Sequence, residues 1–203
     1  IAGSTLIITL NILGMFPTAF DAFHHAFFAV SSVITTTGFS TTDFDLWPQT
    51  SRLVLVLLMF IGACAGSTGG GMKVSRILIG AKTVIKEFGS YIHPKSIKKI
   101  KMDGKPIEHE VVRSTNVYFI AFATVFALSL FLLSFEGRDL VTSFTAVAAT
   151  INNIGPGLNQ VGPTCNFSFF SDFSKWVLIF DMLAGRLELF PMLILLMPST
   201  WRK

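Results

Sequence analysis

Residues 116–135, NVYFIAFATVFALSLFLLSF, run for twenty positions without a charge. As a helix such a run is about 30 Å long, enough to cross the hydrocarbon core of a bilayer. In lipid every backbone N–H and C=O must be paired inside the protein, which helices achieve. Irregular backbone at that depth is tolerated only where it is buried in protein or lines a water-filled path. Composition points the same way. The chain is 51% hydrophobic and 14% charged, with 21 phenylalanines among 203 residues, and its mean hydropathy is +0.63. Those values belong to a membrane protein rather than a soluble domain. The expected class is all-α membrane protein.

The other apolar runs are less regular. Residues 1–16 amount to about one bilayer's worth of helix. The chain begins inside that run without a Met or a basic flank, so it reads as part of a longer chain. Residues 53–65 give only about 20 Å as helix and must continue through GSTGGG before reaching Lys73. Residues 176–197 form a further span, interrupted by Asp181, Arg186 and Glu188. Two runs, 19–34 and 140–151, are too short to cross. Each is followed at once by a polar stretch with glycine, TTTGFS and NNIGPG. Short apolar segments of this kind between spans read as re-entrant pore helices.

Charge sets the orientation. Ten of the sixteen Lys and Arg fall between Lys73 and Arg113, against four acids. A basic block flanked by apolar spans reads as a cytoplasmic loop, and Arg202 and Lys203 agree. The block has few aromatics, which argues for a solvated loop and against nucleic acid. Cys64 lies in an apolar run and Cys165 in an outer loop, so no disulfide framework is expected. His24 and His25 read as interfacial.

The chain also repeats itself. With a shift of 117, AFFAVSSVITTTGFS (26–40) lies over SFTAVAATINNIGPG (143–157), with Gly38 on Gly155. Beyond the loops the shift becomes 123, bringing Ser51 onto Ser174 and Gly62 onto Gly185. The order span, pore helix, glycine-bearing loop, span occurs twice in the same orientation, as a parallel repeat about an axis along the membrane normal.

Rings of backbone carbonyls can replace a potassium ion's hydration shell, and glycine permits the backbone angles that aim successive carbonyls at one axis. Thr35, Thr36, Thr37 and Gly38 are therefore candidate filter strand residues, as are Asn152, Asn153, Ile154 and Gly155. The stretch Gly66, Ser67, Thr68, Gly69, Gly70, Gly71 superficially suggests a phosphate loop. Met72 separates Gly71 from Lys73 and Val74 follows, so that pattern fails. Four glycines in six residues suit a helix broken inside the membrane, a flexible segment below the filter. Arg186 is costly at membrane depth, about 2.5–3.5 kcal/mol on insertion scales. Asp181 and Glu188 lie about 140° and 160° from it around a helix, so Arg186 is expected to face the pore or another repeat. No His/Cys cluster has metal spacing and no nucleophile–base arrangement is visible, so an enzyme is not expected.

The stretches TTTGFST, GACAGSTGGGMKVSRIL, NNIGPGL and DMLAGRLELFP, with the spacing between them, resemble the Trk/Ktr/HKT superfamily of potassium transporters, closest to its bacterial TrkH branch. The resemblance implies four pore repeats arranged pseudo-fourfold around one pore, of which this chain carries the third (1–72) and fourth (111–203), joined by a cytoplasmic basic linker (73–110). It implies potassium as the transported ion, with no other cofactor in this chain. Gly38 and Gly155 match the filter glycines, Gly66 to Gly71 the intramembrane gate loop, and Arg186 the pore-facing arginine. Implied partners are the other two repeats of the same chain, a second copy in a homodimer, the lipid bilayer and a cytoplasmic regulatory subunit that binds NAD or ATP. The implied location is the bacterial inner membrane. A sodium-handling or nonselective transporter of the same architecture is an alternative, and a non-conducting membrane scaffold is another. Asp181 departs from the neutral residue the resemblance leads one to expect.

Overall fold

The computed structural model describes residues 1–62, 64, 66, 67, 69–92, 100–102, 104–187, 189–195 and 197–201. Ala63, Thr68, Glu188, Arg202 and Lys203 therefore lie outside the described residues. Eight α-helices occur among the described residues, in the order α1 (Ala2–Ile12), α2 (Ala19–Ile34), α3 (Gln49–Met59), α4 (Val74–Ile92), α5 (His109–Ser134), α6 (Leu140–Ile151), α7 (Asp172–Arg186) and α8 (Leu189–Leu195). A small antiparallel hairpin pairs Lys101 with Pro106 and Met102 with Lys105.

The two short apolar runs form helices with the expected bounds, and local chemistry explains where they start. Thr18 caps α2, its Oγ1 accepting from the Asp21 N–H at 3.1 Å. Asp139 caps α6, its carboxylate accepting from the N–H groups of Val141 and Thr142 at 3.1 and 3.3 Å. Such caps satisfy backbone donors that a helix end leaves open. The uncharged run becomes the core of α5, the one described helix long and apolar enough to cross a membrane.

Three expectations are corrected. The run 53–65 is helical only to Met59. The chain then turns at Phe60 and runs extended, with Ile61 bridged to Met72 in parallel and the Gly62 N–H donating to the Met72 carbonyl at 2.8 Å. The span 176–197 is likewise not one helix, for α7 ends at Arg186 and α8 begins at Leu189. Pro191 supplies the reason. It has no N–H for the Leu187 carbonyl and its ring would clash there, whereas it is tolerated in the first turn of a new helix. Thirdly, the basic segment is not simply a loop. Its first half is α4, which packs on α5 by burying Ile79, setting Gly80 against the Phe119 ring and laying the Arg76 guanidinium 4.1 Å over the Tyr118 ring.

The two units share one core. Ile8, Ile12, Ala26, Val30, Leu55 and Met59 of the first cluster with Ala148, Ile154 and Leu158 of the second. Phe60 extends the contact, its ring centroid 5.6 Å from Phe126 and 6.1 Å from Phe144. Lipid is as apolar as these side chains, so close packing rather than water exclusion holds such helices together. The buried alanines of α2 (22, 26, 29) and α6 (146, 148, 149) permit that approach.

Candidate functional site

The two glycine-bearing loops share three backbone hydrogen bonds at the 117-residue shift. The N–H of Thr35 donates to Ser31 O at 3.0 Å and that of Asn152 to Ala148 O at 3.2 Å. Thr36 donates to Val33 O at 3.1 Å and Asn153 to Thr150 O at 3.0 Å. Thr37 to Ser32 O and Ile154 to Ala149 O are both 2.9 Å. Positive φ recurs at matching positions as well: 55° at Thr36 and 54° at Asn153, 79° at Gly38 and 114° at Gly155. Even unlike side chains do one job. Thr35 Oγ1 donates to Ser31 O at 2.7 Å and Asn152 Nδ2 to the equivalent Ala148 O at 2.8 Å.

The loops touch. A Cβ on Gly38 would collide with the Ile154 carbonyl oxygen and sit 3.1 Å from Pro156 Cδ. Glycine is needed there twice over, for its positive φ and for that contact. The loops follow directly from the C-termini of α2 and α6, the helix end whose dipole favours cations. Residues of both loops, Thr36, Thr37, Asn153, Ile154 and Gly155, line one cavity of about 490 Å³ with Leu178 and Met182 of α7. The segments that follow the two loops are tied as well, Asp45 Oδ1 accepting from the Asn159 N–H at 3.0 Å and Asp43 Oδ2 from Thr164 Oγ1 at 3.2 Å.

The glycine-rich segment lies against the start of the second loop. A Cβ on Gly70 would be 2.5 Å from the Asn152 carbonyl oxygen and 2.8 Å from Asn153 Cβ, and one on Gly71 would be 2.7 Å from Asn152 Oδ1. Within the segment, Gly69 N–H donates to Ser67 Oγ at 3.1 Å and Ser67 N–H to Cys64 O at 3.1 Å. Lys73 turns back on it, Nζ donating to the carbonyls of Ser67 at 2.6 Å and Gly69 at 2.7 Å. From the other side, Gly185 abuts the Ile151 carbonyl and Asn153 Nδ2, and Asn153 Nδ2 donates to Met182 O at 3.1 Å. Arg186 follows as the exposed last residue of α7. The glycine-rich segment and the end of α7 thus converge on Asn152 and Asn153. The Asn153 bond to α7, the Asp45 and Asp43 ties and the Lys73 contacts were not legible in the sequence. The one signal was a lysine at a helix N-terminus, where the dipole disfavours it.

Asp181 is fully buried, and its Oδ1 accepts from Ser129 Oγ at 2.7 Å. At the repeat shifts these two correspond to Leu58 and Ile12, both buried in the first unit. His25 is used structurally, its Nδ1 2.8 Å from Thr41 Oγ1 and its ring stacked on Phe16. Among the described residues no group of three or more His, Cys, Asp or Glu is placed to hold a metal ion.

A family profile described as TrkH, cation transport protein, matches residues 10–203. The Trk system potassium uptake protein TrkH of Vibrio parahaemolyticus is 45% identical over 183 residues, covering 90% of this chain and 37% of that protein. The protein of the same name from Escherichia coli K12 is 39% identical over 189 residues, covering 93% and 39%. The crystal structure of the potassium transporter TrkH from Vibrio parahaemolyticus matches with a TM-score of 0.90 at 42% identity, covering 99% of this chain and 43% of that one. The chain thus spans about two fifths of the length of the relatives it matches. Transporters, not enzymes, are its relatives, and the chain belongs to the TrkH family of cation transport proteins.

Proposed function

We propose that this chain builds half of a potassium-selective pore in a bacterial inner membrane, as the third and fourth of four repeats arranged pseudo-fourfold. Potassium loses its water to carbonyls of Thr35, Thr36, Thr37 and Gly38 and of Asn152, Asn153, Ile154 and Gly155, with two further strands from the rest of the protein. Gly66, Ser67, Thr68, Gly69, Gly70 and Gly71 together with Arg186 gate the path below. The basic linker and C-terminus are cytoplasmic, and a second copy and a cytoplasmic nucleotide-binding subunit complete the working assembly. One observation carries this reading. Two loops 117 residues apart share three backbone hydrogen bonds and place positive φ at the same two positions, and they abut at Gly38 and Ile154. Its relatives are potassium uptake proteins, and they supply the ion.

Potassium and sodium uptake by vesicles carrying the whole gene product tests it. Gly155 sits at φ 114°, where an added Cβ is strained. Gly155→Ser is expected to lower the K⁺/Na⁺ permeability ratio. An unchanged ratio overturns the filter assignment, and a wild-type protein that carries both ions equally makes this a nonselective transporter.

A further inference from the structure

We infer that Lys73 is the latch of the glycine-rich segment, a positioning residue whose ammonium holds the segment closed by its own backbone carbonyls. Among the described residues, the segment's other internal hydrogen bonds are those of the Ser67 N–H to the Cys64 carbonyl and the Gly69 N–H to Ser67 Oγ, both 3.1 Å. It leaves and re-enters the protein at one point, where Ile61 bridges Met72 and the Gly62 N–H meets the Met72 carbonyl. Between these ends the described residues carry only small side chains and Cys64. Glycines are the residues whose backbone loses most freedom on being ordered. Something must offset that loss, and among the described residues the two shortest polar contacts in the segment are those of Lys73 Nζ to the Ser67 and Gly69 carbonyls, 2.6 and 2.7 Å. Charge-assisted bonds of that length are roughly twice as strong as neutral ones.

Lys73 gains nothing from the helix it begins. Its carbonyl accepts from the N–H groups of Arg76 and Ile77 at 2.9 and 3.3 Å, so it stands at the N-terminus of α4. A cation there opposes the helix dipole, and lysine has no acceptor with which to cap. A lysine that merely snorkelled would direct its ammonium to water. This one bends back onto carbonyls four and six residues earlier. The arrangement is a tethered cation seated on backbone oxygens, the kind of contact a permeating cation makes in a carbonyl-lined path.

Its position joins two parts. The segment lies against Asn152 and Asn153, where the second loop begins, while α4 is held to α5 through Ile79, Gly80 and the Arg76–Tyr118 contact. Displacement of α4 therefore withdraws the ammonium and frees the segment. That gives a partner on the cytoplasmic face a lever on the path without touching the filter. The consequence for flux rests on the gate reading proposed above; the latch itself does not.

Cys64 is exposed within the segment and Cys165 is exposed in the distant outer loop. Their reactivity toward a small methanethiosulfonate reagent, measured on the whole gene product with other cysteines replaced, reports the segment and the fold separately. Lys73→Met and Lys73→Gln are each expected to raise Cys64 reactivity about tenfold, the change that goes with losing one charge-assisted bond. Lys73→Arg, which keeps a charged donor, is expected to restore most of the protection. Cys165 reactivity stays at the wild-type level throughout. Unchanged Cys64 reactivity in both neutral variants overturns the latch, and so does a failure of Lys73→Arg to protect better than Lys73→Met. Potassium uptake by the same vesicles separates the two readings. Raised reactivity with raised uptake supports both, whereas raised reactivity with unaltered uptake keeps the latch and removes the gate.

Discussion

Thr36 and Asn153 hold the same left-handed backbone with very different tolerance for it. Asparagine visits that region readily, but threonine is β-branched and there becomes an outlier. Such strain persists only where the surroundings fix it, and it gathers at functional sites. Thr36→Asn is therefore expected to stabilise the protein by about 1 kcal/mol, raising its thermal unfolding midpoint in detergent. Asn153→Thr is expected to lower the midpoint, since it adds the strain and deletes the bond to Met182 O. A drop with Thr36→Asn would mean that the threonine side chain, not the backbone, decides this position. The sequence showed which residues stand in the loops and which glycines correspond. It did not show that Thr35 and Asn152 make the same bond to equivalent carbonyls, because that requires knowing where α2 and α6 stop.

At the level of elements, α3 and α7 start at corresponding residues, Gln49 and Asp172, yet they meet their neighbours differently. The Ile12 and Leu58 positions of the first unit become Ser129 and Asp181 in the second. Asp181 Oδ2 has no hydrogen-bond partner among the described residues. A buried polar pair adds little over a well-packed apolar one, but half of such a pair is costly. Ser129→Ala is expected to cost about 1–3 kcal/mol, whereas Ser129→Ile with Asp181→Leu keeps or raises the wild-type unfolding midpoint.

The start of α7 carries a pH dependence. Glu136 Oε1 accepts from the Ser171 N–H at 2.7 Å. Partial burial works to raise its carboxyl's pKa, but hydrogen bonds from Ser171 and Ser174 and the charge of Arg138 outweigh it and hold the carboxyl below its ordinary 4.5. A depressed carboxylate stabilises above its unfolded value, and that contribution is lost as pH falls through the lower folded value. Acid below 4.5 is thus expected to narrow the difference in unfolding midpoint between wild type and Glu136→Gln, which is largest at neutral pH. A difference independent of pH would remove the carboxylate from this role. The helices α2 and α6 were legible from their apolar length and flanking polar residues. The early ends of α3 and α7 were not, because apolar residues continue past both, with only Arg186 and Glu188 interrupting the second run. Only the Pro191 clash and the return of the chain at Gly62 stop the helices.

At the scale of the molecule, the glycine-rich segment, the end of α7 and the second loop converge on Asn152 and Asn153. Arg186 stands one residue beyond that junction and is exposed. In the proposed pore this places a cation at the mouth of the path, which raises the barrier to passage. Arg186→Ala is expected to raise potassium uptake by vesicles, and unaltered uptake would give the residue a structural role instead.

The sequence by itself determined that this chain enters a membrane, that it repeats with a shift of 117, and which polar stretches interrupt its apolar runs. Those properties are written in composition and period, since lipid forces every apolar length and every charge to be accounted for locally. The tertiary structure alone decided what the interruptions do to one another. Gly38 is a glycine because the Ile154 carbonyl occupies the place of its side chain, and Gly70 because the Asn152 carbonyl does. Lys73 belongs to the segment before it rather than to the linker after it because its ammonium finds two carbonyls within reach. These are contacts between residues four to more than one hundred positions apart, and neither hydropathy nor local propensity encodes which backbone will arrive beside which.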